Sequence, residues 1–92
     1  MTNEFDNFCG FVENLLKEKV NYTMETTAGR KYHKVIMVTC GGQRSVWCFV
    51  DKTTGDIFKP ATWKAPAKHS RGNITKPETY QGYDWTGPHY LR

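Results

Sequence analysis

A basic segment with a central tryptophan is the part of the chain whose residue types best suit a chemical task. From Lys59 to Lys76 the sequence carries five cations and no carboxylate. Lysine and arginine bind phosphate oxygens, and a neighbouring tryptophan can stack on a nucleobase. The pattern predicts a binding site for nucleic acid, either DNA or RNA, and its residues are Lys59, Trp63, Lys64, Lys68, Arg71 and Lys76.

The same segment also has a purely structural interpretation. Arg71 beside Gly72 suits close approach to a phosphate, because the guanidinium is a planar fork and glycine leaves room for it. Alternatively, Trp63 caps the aromatic face of a sheet, the lysines form a solvated rim and Gly72 makes a turn. The sequence leaves both interpretations open.

Catalytic and metal-binding patterns are missing from the sequence. It has no P-loop, no Gly-x-Ser-x-Gly, no His-Glu-x-x-His and no paired-carboxylate signature. Cys9, Cys40 and Cys48 are odd in number and lack the spacing of zinc ligands, which predicts free thiols. Cys48 and His33 can be imagined as a thiol–imidazole pair, but both are expected on a buried face. We therefore expect no enzymatic activity, no cofactor and no metal.

Length and charge indicate one small domain with an uneven surface. The 92 residues carry 13 basic and 9 acidic side chains, a formal net charge of +4. Residues 1–29 contribute two basic and five acidic side chains (−3), and residues 30–92 contribute eleven and four (+7). This uneven distribution of charge is typical of a surface that meets an anionic partner. The sequence contains no run of about 18 apolar residues, so no membrane span is predicted, and the N-terminus does not resemble a signal peptide.

Hydrophobic spacing predicts an α+β domain over residues 1–92. Apolar residues from Phe5 to Leu16 recur at three- and four-residue intervals, which predicts an amphipathic helix over residues 1–20. Residues 22–59 predict a three- to four-stranded antiparallel meander with turns at Ala28-Gly29, Gly41-Gly42 and Asp51–Gly55. In the last turn we expect Asp51 to bond nearby backbone and Gly55 to take a positive φ.

Alternation along the strands predicts one aliphatic and one aromatic face of the sheet. The aliphatic face should carry Val35, Met37, Val46, Cys48, Val50 and Ile57, and the helix should cover it. The aromatic face should carry Tyr32, Lys34, Ile36, Val38, Trp47, Phe49 and Phe58. Aromatic side chains on a sheet can stack unpaired bases, or they can be buried beneath another segment or subunit.

Residues 60–92 are expected to be irregular and to wrap over the aromatic face. Four prolines argue against a long helix or an inner strand in this segment. Its last part is rich in aromatics, which are enriched at protein interfaces. This supports an alternative function, a virion component or a protein that binds host proteins, with an interface at Tyr80, Tyr83, Trp85 and Tyr90.

Three blocks of the sequence carry a resemblance to known proteins. They are Phe49-Val-Asp-Lys-Thr-Thr-Gly-Asp-Ile-Phe-Lys59, Ala61-x-Trp63-Lys64-x-Pro66-Ala67-Lys68 and Arg71-Gly72-Asn73-Ile74. Over residues 44–75 the chain resembles a group of small proteins encoded by tailed bacteriophages. The resemblance implies a viral origin and action in the host bacterial cytoplasm or in the virion, and it brings no activity with it. The order of helix and meander also resembles the front of a double-stranded-RNA-binding domain, whose second long helix the prolines forbid here.

Overall fold

The N-terminal helix is the first layer of the fold. A computed structural model describes residues 2–83, and the helix α1 spans Thr2–Val20. Phe8, Val12 and Leu16 lie four residues apart and are fully buried, as expected for the apolar stripe of an amphipathic helix. The helix ends at Val20, and the next residue, Asn21, has a φ of 57°, the left-handed conformation that asparagine tolerates. Among the described residues, no helix is long and apolar enough to cross a membrane.

A five-stranded antiparallel sheet forms the second layer, with its strands in sequence order. The strands are β1 (Thr23–Ala28), β2 (Tyr32–Val38), β3 (Arg44–Asp51), β4 (Asp56–Pro60) and β5 (Pro66–Asn73). The α+β class, the helix and the meander are therefore confirmed. The meander has one strand more than expected.

The fifth strand corrects the prediction that residues 60–92 are irregular throughout. β5 pairs with β4 from Asn73 opposite Asp56 to Pro66 opposite Pro60. Pro66 stands at the first position of the edge strand β5, where proline is tolerated. Pro60 is the last residue of β4, which is an inner strand, so the expectation that the prolines argue against an inner strand was wrong for Pro60.

A β-bulge at Trp47 changes which face this side chain occupies. Val35 pairs with Cys48 and the next residue, Ile36, pairs with Val46, so Trp47 is an extra residue in β3. The predicted faces of Val46 and Trp47 were therefore wrong. Val46 lies opposite Ile36, whereas Trp47 is 3% exposed and packs on the helix side, 6.3 Å from the Phe8 ring centre.

The C-terminal part of the described chain packs on the helix side of the sheet. After a short 3-10 helix (Pro77–Thr79), Tyr80 and Tyr83 are 4% and 5% exposed. Tyr80 contacts Phe8 edge-on at 4.9 Å, and Tyr83 lies 6.0 Å from Trp47. The expectation that residues 60–92 wrap over the aromatic face was therefore wrong for the part from Pro77 to Tyr83, whereas the turn at residues 61–65 does lie on that face. Tyr80 and Tyr83 complete the core beneath the helix instead.

The β3–β4 turn has the predicted chemistry. The Asp51 carboxylate accepts hydrogen bonds from the Thr53 N–H (2.7 Å) and the Thr54 N–H (3.0 Å), and Gly55 has a φ of 80°. The hydrogen bond from Thr54, supported by that from Thr53, holds the pKa of Asp51 below its ordinary value. The turn is therefore tied down by a charged acceptor.

Replacing Asp51 by alanine should destabilise the protein by about 1–2 kcal/mol at neutral pH, because two backbone donors lose their acceptor. Since the folded-state pKa is lowered, the contribution of the charge is complete above pH ~4 and is lost as the pH falls through the folded-state value. Urea unfolding should therefore show a smaller difference in the free energy of unfolding between wild type and Asp51→Ala at pH 3 than at pH 7. Asp51→Asn, which keeps an acceptor without the charge, should lie between them; a gap that widens in acid would contradict this account.

Candidate nucleic-acid interface

The sheet surface opposite α1, called here the outer face, carries the candidate site. Tyr32, Lys34 and Ile36 of β2 lie there with Phe49 of β3 and Phe58 of β4. Tyr32 makes edge-on contacts of 5.9 Å with both phenylalanine rings. Ile36 and Phe49 are only 1% and 3% exposed, so another part of the chain must cover them.

The β4–β5 turn, residues 61–65, folds back over the outer face. The Thr62 hydroxyl accepts hydrogen bonds from the N–H groups of Lys64 and Ala65, and the Ala61 and Thr62 N–H groups donate to the Ala65 carbonyl. Serine and threonine hydroxyls stabilise turns in this way. The turn thereby carries two adjacent residues, Trp63 and Lys64, onto the sheet.

Trp63 lies against the sheet through contacts with cations. The Lys34 ammonium is 4.5 Å from the centre of the Trp63 ring and 5.8 Å from that of Phe49. The Arg44 guanidinium lies 6.0 Å from the Trp63 ring centre. Such cation–π contacts stabilise by roughly 0.5–1 kcal/mol each at exposed sites. Trp63 is nevertheless 44% exposed, so part of its ring remains accessible to a ligand.

A groove of about 280 Å³, called here the outer groove, opens beside this turn. Its cationic lining consists of Arg30, Lys31, Lys34 and Lys64, and among the described residues no carboxylate lines it. Tyr32, which is half-buried, and Phe49, which is almost fully buried, line the same groove, so its aromatic surface is mainly that of Tyr32. This combination suits an anionic ligand that also has flat apolar parts.

The β1–β2 turn forms one wall of the outer groove and is held by the backbone around it. The Gly29 N–H donates to the Tyr32 carbonyl at 2.9 Å, and the Lys52 ammonium donates to the Gly29 carbonyl at 2.7 Å. The Lys52 N–H also donates to the Lys31 carbonyl at 2.9 Å. Arg30 and Lys31 are exposed, so a fixed backbone presents two solvent-facing cations.

A second groove of about 330 Å³, called here the upper groove, lies between the start of β3 and the β4–β5 turn. Its lining includes Arg44, Val46 and Trp63. Arg44 forms an ion pair of 2.8 Å with Glu25, and both side chains are about half exposed (47% and 50%). The positive charge of this groove is therefore partly offset by a carboxylate, whereas in the described part of the chain no carboxylate lines the outer groove.

The structure brings only part of the sequence-predicted nucleic-acid site to the outer face. Trp63 and Lys64 lie there, as described above. Lys59 lies in β4, Lys68 and Arg71 lie in the edge strand β5, and Lys76 follows that strand. Of the six predicted residues, Lys64 lines the groove beside Tyr32 and Lys34, Trp63 lines the groove beside Arg44, and the other four line neither groove. Binding of nucleic acid by any of them remains a prediction.

Sequence reasoning missed Arg30 and Lys31 as site residues and noted Lys34 only as part of the aromatic face. The available signal was the predicted Ala28-Gly29 turn, because cations just after a hairpin turn are presented at the edge of a sheet. What brings Lys64 close to them is the folding back of the β4–β5 turn. No local pattern in the sequence indicates that direction.

The blocks that carry the bacteriophage resemblance meet in the structure. The Asn73 side-chain amide donates to the Thr54 carbonyl (2.9 Å) and to the Asp56 carboxylate (3.0 Å). The Ile74 N–H donates to the Gly55 carbonyl at 2.9 Å. The end of β5 is therefore hydrogen bonded to the β3–β4 turn, and this gives Asn73 a structural role next to Arg71 and Gly72.

The structure describes only two of the four residues predicted for the alternative protein interface. Tyr80 and Tyr83 belong to the core, as described above, and so they are not presented to a partner in this structure. Trp85 and Tyr90 lie outside the described residues. A protein interface at this end of the chain remains a prediction.

The imagined pair of Cys48 and His33 lacks the features of a catalytic dyad. Cys48 is fully buried, and burial raises the pKa of its thiol, so the nucleophilic thiolate is disfavoured. The His33 ring stacks on Phe5 at 4.0 Å with an angle of 20° between the rings, and burial lowers its pKa. Cys9, Cys40 and Cys48 are free thiols, and in the described part of the chain no group of three or more potential ligands could hold a metal ion.

Fold and site together define a small α+β domain, a helix on a five-stranded antiparallel meander with a basic, aromatic groove on the opposite face. The chain belongs to the family of unknown function DUF7717, whose family model matches residues 2–91. No curated protein and no solved structure matches it.

Proposed function

We propose that this protein is a small bacteriophage accessory protein without enzymatic activity that binds nucleic acid through the outer groove. The observation that carries the proposal is the groove lining, which has four cations, two aromatic side chains and no carboxylate among the described residues. The net charge of +4 supports it, since residues 30–92 hold the positive excess. The bacteriophage origin, and with it action in the host cytoplasm or the virion, rests on the resemblance over residues 44–75.

The physical basis is release of counterions from phosphates. Lysine and arginine displace condensed cations when they bind a nucleic-acid backbone, so affinity falls steeply as salt is added. The four groove cations predict a slope of about −3 for log K against log salt on a single strand, and slightly steeper on a duplex. A fourfold rise in salt should therefore lower affinity roughly 50- to 150-fold.

A salt titration tests this function. Fluorescence anisotropy with labelled DNA and RNA, between about 50 and 200 mM salt, should show binding with that slope. Binding that does not respond to salt, or no detectable binding to any nucleic acid at the lowest salt, would contradict the proposal.

Replacing Glu25 by glutamine should tighten binding, since it frees Arg44 from its ion pair and removes a negative charge from the outer face. An effect of roughly 2- to 5-fold is expected, because one additional phosphate contact changes affinity by about that factor near physiological salt. Glu78→Gln, which removes one exposed carboxylate from the 3-10 helix, is the matched control. Equal tightening by both variants would show that only the net charge matters.

A further inference from the structure

Two grooves and one exposed ring form a continuous path along the outer face. Lys34 lines the outer groove and Arg44 lines the upper groove, and the Trp63 ring contacts a cation from each. From Tyr32 to Val38, which pairs with Arg44, strand β2 extends about 20 Å. The path is therefore long enough for several nucleotides in an extended conformation.

The cations of the outer groove come from two turns and from the sheet. Arg30 and Lys31 lie in the β1–β2 turn, Lys64 lies in the β4–β5 turn and Lys34 lies in β2, and all four line the groove. A duplex is a wide, stiff rod whose phosphates contact a protein surface from outside. A single backbone can lie in the groove and meet the cations of both turns.

The aromatic side chains are placed where separated bases can reach them. Trp63 is 44% exposed, and its ring is already in contact with the Lys34 ammonium. The Trp63 side chain therefore loses little further conformational entropy when a base stacks on it. Tyr32 lines the adjacent groove, and no described residue hydrogen bonds its hydroxyl. Bases in a duplex stack on one another and are not available to such side chains, whereas unpaired bases are.

We infer that the ligand of the outer face is an extended single strand of DNA or RNA, with a base stacked on Trp63 and phosphates held by the groove cations. This inference rests on the proposed function and makes it more specific. Because every base has an aromatic face, binding through Trp63 should depend little on sequence.

The test compares three probes of matched strand length. They are a mixed-sequence single strand of about 12 nucleotides, the same strand with abasic sites, and the duplex, with the single strand prepared both as DNA and as RNA. The intact single strand should bind at least roughly 5-fold more tightly than the abasic strand and should quench tryptophan fluorescence. Trp63→Leu should weaken binding of the intact strand roughly 5- to 100-fold and leave the abasic strand unchanged, whereas Trp63→Phe should retain most of the affinity.

The outcomes separate this inference from the function on which it rests. Duplex binding as tight as single-strand binding, with Trp63→Leu unaffected, would overturn the single-strand inference and leave nucleic-acid binding standing. Failure of every probe to bind would overturn both. Because Trp63 also covers the sheet, thermal unfolding of Trp63→Leu is measured in parallel. Trp63→Phe, which keeps an aromatic ring, shows whether a loss of affinity comes from the missing ring or from a destabilised fold.

Discussion

Replacing Lys31 and Lys64 together by glutamine is expected to weaken binding of single-stranded nucleic acid roughly 10- to 20-fold near physiological salt. The two side chains line the outer groove from two different turns, β1–β2 and β4–β5, so a strand bound in the groove should contact both. On a single strand each lost phosphate contact also reduces the salt slope by about 0.7, which gives a total reduction of about 1.4. Anisotropy titrations at several salt concentrations measure both quantities.

Two control variants remove the same amount of charge from elsewhere. Lys17→Gln/Lys19→Gln alters the end of the helix, and Lys68→Gln/Lys76→Gln alters the edge strand and the segment after it. All the substituted side chains, like those of Lys31 and Lys64, are exposed, so none of the variants should unfold the protein. Each control should lower affinity less than about 3-fold, because only the long-range field changes.

The comparison also decides between two locations for the site. A larger loss in Lys68→Gln/Lys76→Gln than in the groove variant would place binding along the basic segment, as the sequence pattern predicted. Equal losses in all three variants would show that net charge alone attracts the nucleic acid. Either result would contradict the assignment of the outer groove.

The helix, the hairpin turns and the first four strands were predictable because each has a local cause. The helix follows from the apolar spacing between Phe8 and Leu16, and the β3–β4 turn follows from Asp51 and Gly55. Both depend only on residues that are close in sequence. The bulge at Trp47 was not predictable from alternation, because one extra residue reverses the faces of its neighbours. Trp47 gains burial beside Phe8 and Tyr83, a tertiary effect that a strand pattern does not contain.

The candidate site was predictable to a smaller extent for the same reason. Trp63 and Lys64 are adjacent in sequence and were recognised from composition. Arg30 and Lys31 are more than thirty positions away and reach Lys64 only because the sheet places one turn beside the other. Composition therefore indicated the type of ligand, whereas the geometry of the groove required the sheet register and the course of the β4–β5 turn.

Replacing Gly72 by alanine should destabilise the protein by about 2–4 kcal/mol, a large effect for one methyl group. A Cβ at position 72 would lie 2.5 Å from the Tyr83 hydroxyl and 3.0 Å from the Thr79 hydroxyl. Overpacking of this kind typically costs about 1–3 kcal/mol. Displacing Tyr83 would also break the hydrogen bond that its hydroxyl donates to the Arg71 carbonyl at 2.7 Å, which adds about 1 kcal/mol or more. Gly72 therefore has a structural reason to be glycine that is independent of any phosphate.

A double-mutant cycle identifies the group responsible for the effect. Tyr83→Phe alone should cost about 1–2 kcal/mol because the Arg71 carbonyl loses its donor. In the Tyr83→Phe background, Gly72→Ala should cost at least about 1 kcal/mol less than in the wild type, since the nearest clashing atom is gone.

Gly10→Ala, where a Cβ meets nothing within 4 Å inside α1, should instead stabilise by up to about 1 kcal/mol. Urea unfolding of the four proteins of the cycle and of Gly10→Ala measures these differences. If Gly72→Ala is within about 0.5 kcal/mol of wild type, or if the two substitutions are additive, then contact between Gly72 and Tyr83 does not hold the end of β5 to the core.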